Sequence, residues 1–256
     1  MEIDTRLPDV MSLRTRALDM HPEIFSSRFA PNDWTPVAIV CFHDCTETLA
    51  AIRVALFEYF AHGEYYRRVL KRPREMTAIF FERYFLDDAA IRLYSAGEHL
   101  ANAIVFMNGI SDVELEPFRG KGRSSQQAVV AAYLRKIKPR SSLTKSVQRL
   151  GKSADWQFAI RYRNRWVHEQ PPSIGGLGQT YRRRLRWVVS ADGTKRRLDV
   201  TLGDLPEYDI GTLAHHVLAA NTAFITTVDA VMNDYLQVLE GHGIKLTAEG
   251  WDLTRS

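Results

Sequence analysis

The sequence predicts one soluble, mainly helical, all-α domain with a small β-hairpin inserted late in the chain. Three observations predict it. Apolar residues recur at spacings of three and four through several long segments, which is the helical period. One short stretch, about 181–202, is β-rich instead. Neither an internal repeat nor a low-complexity linker divides the 256 residues into separate units.

Residues 1–35 mix charges with Pro8, Pro22 and Pro31 and keep no period, so they read as an irregular N-terminal arm with one short helix. The domain proper is expected over 36–256. Thr35 as N-cap and Pro36 at the first helical position open a long helix, whose apolar residues Ile39, Ala50, Val54, Phe57 and Phe60 lead towards Lys71. Pro73 ends it. A second helix is predicted from Glu75 to about Asn108, with Ile79, Tyr84, Ile91, Tyr94, Ala101, Ile104 and Val105 as its stripe, antiparallel to the first. After the turn-rich GISDVELEPFRGKGRSS, two shorter helices are expected at Gln126–Lys138 and Leu143–Leu150, and another from Asp155 to about Glu169, stopped by Pro171 and Pro172. RRLRWVVS and KRRLDVTL then pair around the Ala-Asp-Gly-Thr turn at 191–194 as a basic hairpin. Tyr208 to about Glu240 closes the pattern with Leu213, Val217, Ala220, Phe224, Val228, Val231, Tyr235 and Val238 on one helical face. The hairpin is too small to bury a core of its own, so it is an insertion in an antiparallel helical bundle.

A hydrophobic fraction of 45% with 25% charged residues is that of an ordinary folding chain. No run approaches the roughly 18 apolar residues of a membrane span, and the N-terminus lacks a basic segment followed by an apolar one, so no membrane association is expected. Two cysteines, Cys41 and Cys45, are too few for a disulfide framework and fit a reducing cytoplasm. The net charge of +4 hides a strong asymmetry: 135–197 holds seventeen Lys/Arg against three acids, which leaves that stretch at +14 and the rest at −10. Such a stretch can hold a polyanion through phosphate contacts, or it can be a solvated surface.

Several motifs carry little chemistry. Leu150-Gly151-Lys152-Ser153 looks like the end of a phosphate-binding loop, but Ser146 stands where the first glycine belongs and the preceding residues are helical in pattern. GKGRSS at 120–125 and GGLG at 175–178 lack the strand-to-helix context and read as loops. Cys41, His43 and Cys45 have metal-ligating side chains, but only the two cysteines share a helix face, and they read as core residues. His215 and His216 are adjacent and should point to different faces. No metal and no cofactor are expected. On the second helix, Asp88, Arg92, Ser95, His99 and Asn102, with Glu98 beside them, form a polar face. It is either a solvated stripe or a support, through Glu98, His99 or Asn102, for a site between helices.

RYRNRWVHE, Arg161 to Glu169, is the richest constellation. Asn164 and His168 are i,i+4 neighbours on one helix face with Arg165 near them, whereas Arg163 and His168 are about 140° apart around the axis. A histidine titrates near neutral pH and can move a proton; an arginine stays charged and binds phosphate in two-point fashion; an amide can orient either. That set suits phosphodiester cleavage. The same residues at a helix C-terminus could instead favour the macrodipole and cap carbonyls.

Arg163-Asn164-Arg165-Trp166-Val167-His168 resembles the signature of the HEPN superfamily: an arginine, a polar residue, three further residues and a histidine at the end of a helix. DDAAIRLYSAGEHLANAI, from Asp87 to Ile104, also resembles the long helix that packs beside this motif in HEPN proteins. The resemblance covers 36–240 and leaves the arm and the hairpin as additions. It implies a HEPN-like antiparallel bundle, a metal-independent ribonuclease or a non-catalytic relative, a toxin–antitoxin or other defence setting with a possible antitoxin protein, and a homodimer in which two motifs meet. It further implies His168 as acid/base, Arg163 as the stabiliser of phosphate charge, and Asn164 as an aid to orientation. With Arg163 and His168 about 140° apart on one helix, a composite of two facing motifs is easier to assemble than an isolated one.

Three readings follow. One is a homodimeric endoribonuclease in which a 2′-hydroxyl, activated by His168, attacks phosphorus, while Arg161, Arg165 and the hairpin residues Arg182, Arg183, Arg184 and Arg186 hold the RNA. Another is a non-catalytic module that binds RNA, nucleotides or protein. The third is a purely structural dimerisation domain.

Overall fold

The computed structural model describes residues 7–120, 125–169, 171–177, 185–189, 193, 196–200, 206–247 and 250–253. The chain is mainly helical. Helices α1 (Met11–Leu18) and α2 (Pro22–Phe25) precede the two long helices α3 (Val37–Glu64) and α4 (Met76–Met107). A short α5 (Asp112–Leu115) leads to α6 (Gln126–Ile137), α7 (Ser142–Lys152) and α8 (Ala154–His168). Strands β1 (Leu185–Val189) and β2 (Arg196–Val200) follow, then α9 (Ile210–Gly241) and strands β3 (Ile244–Thr247) and β4 (Gly250–Leu253).

Helix starts follow capping chemistry. Ser125, Ser141, Ser153 and Asp209 each accept a hydrogen bond from a backbone N–H in the first turn of α6, α7, α8 and α9. Ser111 and Glu114 form a reciprocal capping box on α5. α3 departs from the expected start: Pro36, not Thr35, is its N-cap, and the Thr35 carbonyl accepts from Tyr235 Oη at 3.0 Å. Its last turn widens into a π-turn over Tyr65–Val69, so the helical path reaches almost to Lys71, as its apolar pattern predicts.

α3 and α4 pack antiparallel, with His62 stacked on Phe81 at one end and His99 near Asp44 at the other. Small residues on α4, including Ala89, Ala90, Ala96 and Gly97, are fully covered and let neighbouring helices approach closely. α9 lies on this pair and supplies Leu213, Val217, Ala220, Phe224, Val228, Val231 and Tyr235 to the core, as its pattern predicts. Val54, Phe57 and Tyr84, placed on apolar stripes by periodicity, are instead exposed.

The N-terminal stretch differs from the expected irregular arm. It holds α1 and α2, and Leu7, Val10, Leu13, Ala17, Met20, Phe25 and Phe29 are buried in the same core as the bundle. A four-residue helix and an eight-residue one are too short to leave a clear period, which is why the pattern is invisible in sequence. The second hairpin was also unanticipated. β3 and β4 pair antiparallel, and Trp251 meets Phe25 edge-on at 5.0 Å, so this hairpin packs against α2.

β1 and β2 pair antiparallel with Arg186 opposite Asp199. The flanks of this insertion are tied to each other: Ile174 bridges Tyr208, Gly175 N donates to Tyr208 O at 2.9 Å, and Glu207 N donates to Ser173 O at 3.0 Å. The excursion therefore leaves and re-enters the bundle through one neck, just beyond the end of α8. Among the described residues, no helix is long and apolar enough to cross a membrane.

Candidate functional site at the end of α8

Two sets of side chains leave the last two turns of α8. Tyr162 and Trp166, i,i+4 neighbours, reach α4 and converge on Asp87. The Asp87 carboxylate accepts from Tyr162 Oη at 2.5 Å, from Trp166 Nε1 at 3.0 Å and from Arg83 Nε at 3.2 Å. Arg83 also donates from Nη2 to the Pro172 carbonyl at 3.1 Å, which ties the residues after α8 to the same anchor. Burial pushes the Asp87 carboxyl above its ordinary value, with the three donors partly offsetting it. Burial, then the neighbouring Asp87 charge, pushes the Tyr162 hydroxyl upward and keeps it a donor.

Asp87 is the functional neighbour that sequence reasoning missed. The polar face was assigned from Asp88 onward, yet Arg83 and Asp87 are an i,i+4 pair and Asp87 is 8% exposed. That spacing was the available signal, and only the fold shows that it faces inward.

The second set is Arg163, Asn164 and His168. Arg163 Nη1 donates to Asn164 Oδ1 at 3.0 Å and lies 3.3 Å from His168 Nε2. The guanidinium carbon sits 4.0 Å from the centre of the Tyr94 ring on α4, a cation–π contact. Arg163 Nε is buried without a hydrogen-bond partner among the described residues. Asn164 and His168 are exposed. The three side chains thus meet within one chain, although Arg163 and His168 leave the helix about 140° apart. That angle relates Cβ directions, whereas the guanidinium rides on a long side chain that lies back along the helix end.

A hydrogen bond from Arg163 to His168 Nε2 requires a lone pair on that nitrogen, so the contact fits an imidazole whose proton is on Nδ1. Beside this cluster, a cavity of about 390 Å³ opens between α4, α6, α7 and α8, lined by Tyr94, Gln127, Trp156, Gln157, Ile160 and Arg161 among others. Burial, then the Glu98 charge, pushes the Tyr94 hydroxyl up, while Arg163 pulls it down.

The remaining expected residues separate. Glu98 accepts from the backbone N–H groups of Gln126 at 3.0 Å and Gln127 at 3.4 Å, so it satisfies the first turn of α6. His99 faces Asp44 on α3, with 3.9 Å between Nδ1 and Oδ2. Asn102 lines a different cavity, with Trp34 and Asp33. Glu98 also acts on the Tyr94 ring that packs against Arg163. Arg161 is exposed. Arg165 is held by both carboxylate oxygens of Glu207 in the neck, so its charge is matched within the protein. Arg186 lies in β1, while Arg182, Arg183 and Arg184 lie outside the described residues.

Of the motifs set aside in sequence, Gly151 and Lys152 are part of α7 rather than of a phosphate loop. Cys45 is fully buried and Cys41 partly so; desolvation, then Asp44, pushes the Cys41 thiol up to about 11. His43 Nε2 lies 2.6 Å from the Ala17 carbonyl and ties α3 to α1. No family model, no curated protein and no solved structure matches the chain.

Proposed function

We propose that the chain is an RNA-cleaving enzyme of HEPN type, working at Arg163, Asn164 and His168 as a homodimer in which two such motifs face one substrate. The setting we propose is a toxin–antitoxin or related defence system. The supporting observation is the hydrogen-bonded cluster of guanidinium, amide and imidazole on the exposed end of α8. His168 Nε2, carrying its lone pair, would take the proton of an RNA 2′-hydroxyl. The 2′-oxygen then bonds to phosphorus and the bond to the 5′-oxygen breaks, giving a 2′,3′-cyclic phosphate and a 5′-hydroxyl. The His168 of the second copy would protonate the leaving oxygen. Arg163 would exchange its contact with His168 for the phosphoryl oxygens, where it offsets developing charge, and Tyr94 keeps it aimed. With Arg165 engaged by Glu207, holding the strand falls to Arg161 and the basic hairpin.

Labelled RNA incubated in EDTA tests this reading. Arg163→Ala is expected to lower cleavage by about 10²–10³-fold, the scale of losing one charge-stabilising donor. Equal cleavage by wild type and variant would refute it. One observation favours a second reading: the cavity beside Tyr94, with the side-chain amides of Gln127 and Gln157 on its wall, suits a nucleobase in a non-catalytic binding module. Binding that weakens steeply with salt, without any strand scission, selects that alternative.

A further inference from the structure

Away from the motif, the first turn of α8 meets the second turn of α9. Asp155, His215 and His216 each place one ligand atom there, all within 4.8 Å of one another. This is the one such group of His, Cys, Asp or Glu side chains among the described residues. The adjacent histidines were expected to point to different faces; their ring centres lie 5.4 Å apart, and one ring nitrogen of each comes within 4.8 Å of the other and of an Asp155 oxygen on the neighbouring helix. His216 Nδ1 lies 2.7 Å from Asp155 Oδ1, and Phe158 stacks on the His216 ring with centres 4.0 Å apart. Tyr208 meets Phe158 edge-on at 5.1 Å, so aromatic packing backs the His216 ring while His215 remains exposed to solvent.

We propose that Asp155, His215 and His216 bind one divalent transition-metal ion, Zn²⁺ in the first place. Two imidazoles and one carboxylate are borderline ligands that suit Zn²⁺ and its first-row neighbours rather than Mg²⁺ or Ca²⁺, which take oxygen ligands. Three protein ligands leave one tetrahedral position for water. Zinc–ligand bonds of about 2.0–2.2 Å put ligand atoms about 3.4 Å apart, so small side-chain rotations close the present spacing. The ion would replace the proton shared between His216 and Asp155. It would fasten the start of α8 to α9, and α8 is the helix that ends in Arg163 and His168. The site stands apart from the proposed chemistry, because Asp155 and Arg163 are eight residues, about 12 Å, apart along the helix.

Titration of tag-free, chelator-stripped full-length protein with ZnCl₂ by calorimetry, with CoCl₂ absorption as a second readout, tests this. The expected result is one ion per chain, tetrahedral-type Co²⁺ bands, and no competition from excess Mg²⁺. His215→Ala, which removes an exposed ring, and Asp155→Asn are each expected to weaken binding at least tenfold. A third observable, the melting temperature, should rise with Zn²⁺ in wild type and stay unchanged in His215→Ala. The proposal is overturned by no stoichiometric binding in the wild type, or by equal affinity in His215→Ala, which would leave only a proton-sharing His216–Asp155 pair. None of these readouts involves RNA, so failure here is separable from failure of the nuclease reading.

Discussion

Replacing His168 with alanine is expected to lower RNA cleavage by about 10²–10⁴-fold, the range that a positioned general acid/base contributes. Folding should be almost untouched. His168 is the last residue of α8, is exposed, and has Arg163 as its one polar partner among the described residues. Surface changes of this kind stay within about 0.5 kcal/mol. The distinguishing feature is thus a large loss of rate with an unchanged urea midpoint. If the homodimer supplies both the base and the acid, the loss should fall at the upper end, because one substitution removes two groups. A variant that cleaves at more than one-tenth of the wild-type rate would remove His168 from the chemistry.

Asp87→Ala should have the opposite signature, with stability lost first and activity lost as a consequence. The carboxylate is 8% exposed and is the common acceptor for Tyr162, Trp166 and Arg83. Removing it leaves a half-buried guanidinium and a buried phenol facing a cavity, and breaking such a pair costs about 3–5 kcal/mol. Urea unfolding measures it, and a loss below about 1 kcal/mol would show that packing alone holds α8 to α4. Because Tyr162 and Trp166 bracket Arg163 in sequence, the same change frees the helix end that carries the cluster. Cleavage is therefore expected to fall as well, even at temperatures where the variant stays folded.

Long periodic helices were legible in the sequence because many residues repeat one spacing: α3, α4 and α9 have the expected positions, and Asp209 caps the start of α9. Short elements were not. α1 and α2 offer too few residues for a period, and β3–β4 is four residues a side, so the N-terminal contribution to the core emerged only from packing. The RNRWVH cluster was legible as residue types at a helix end. Its internal hydrogen bonds were not, because helical angles describe where side chains begin and not where a long arginine ends. The same limit concealed Glu98 as a cap for α6 and Asp87 as the anchor of α8, since both act across distant segments. Asp155 and His216 are likewise sixty-one residues apart, beyond any local pattern.

The most direct measurement is the chemistry of the cut ends. Mass spectrometry of an RNA oligonucleotide after incubation with the full chain in EDTA should show fragments ending in a 2′,3′-cyclic phosphate, each paired with a 5′-hydroxyl fragment. Intact RNA, or fragments ending in 3′-hydroxyl and 5′-phosphate, would contradict attack by the 2′-oxygen at a His168–Arg163 site.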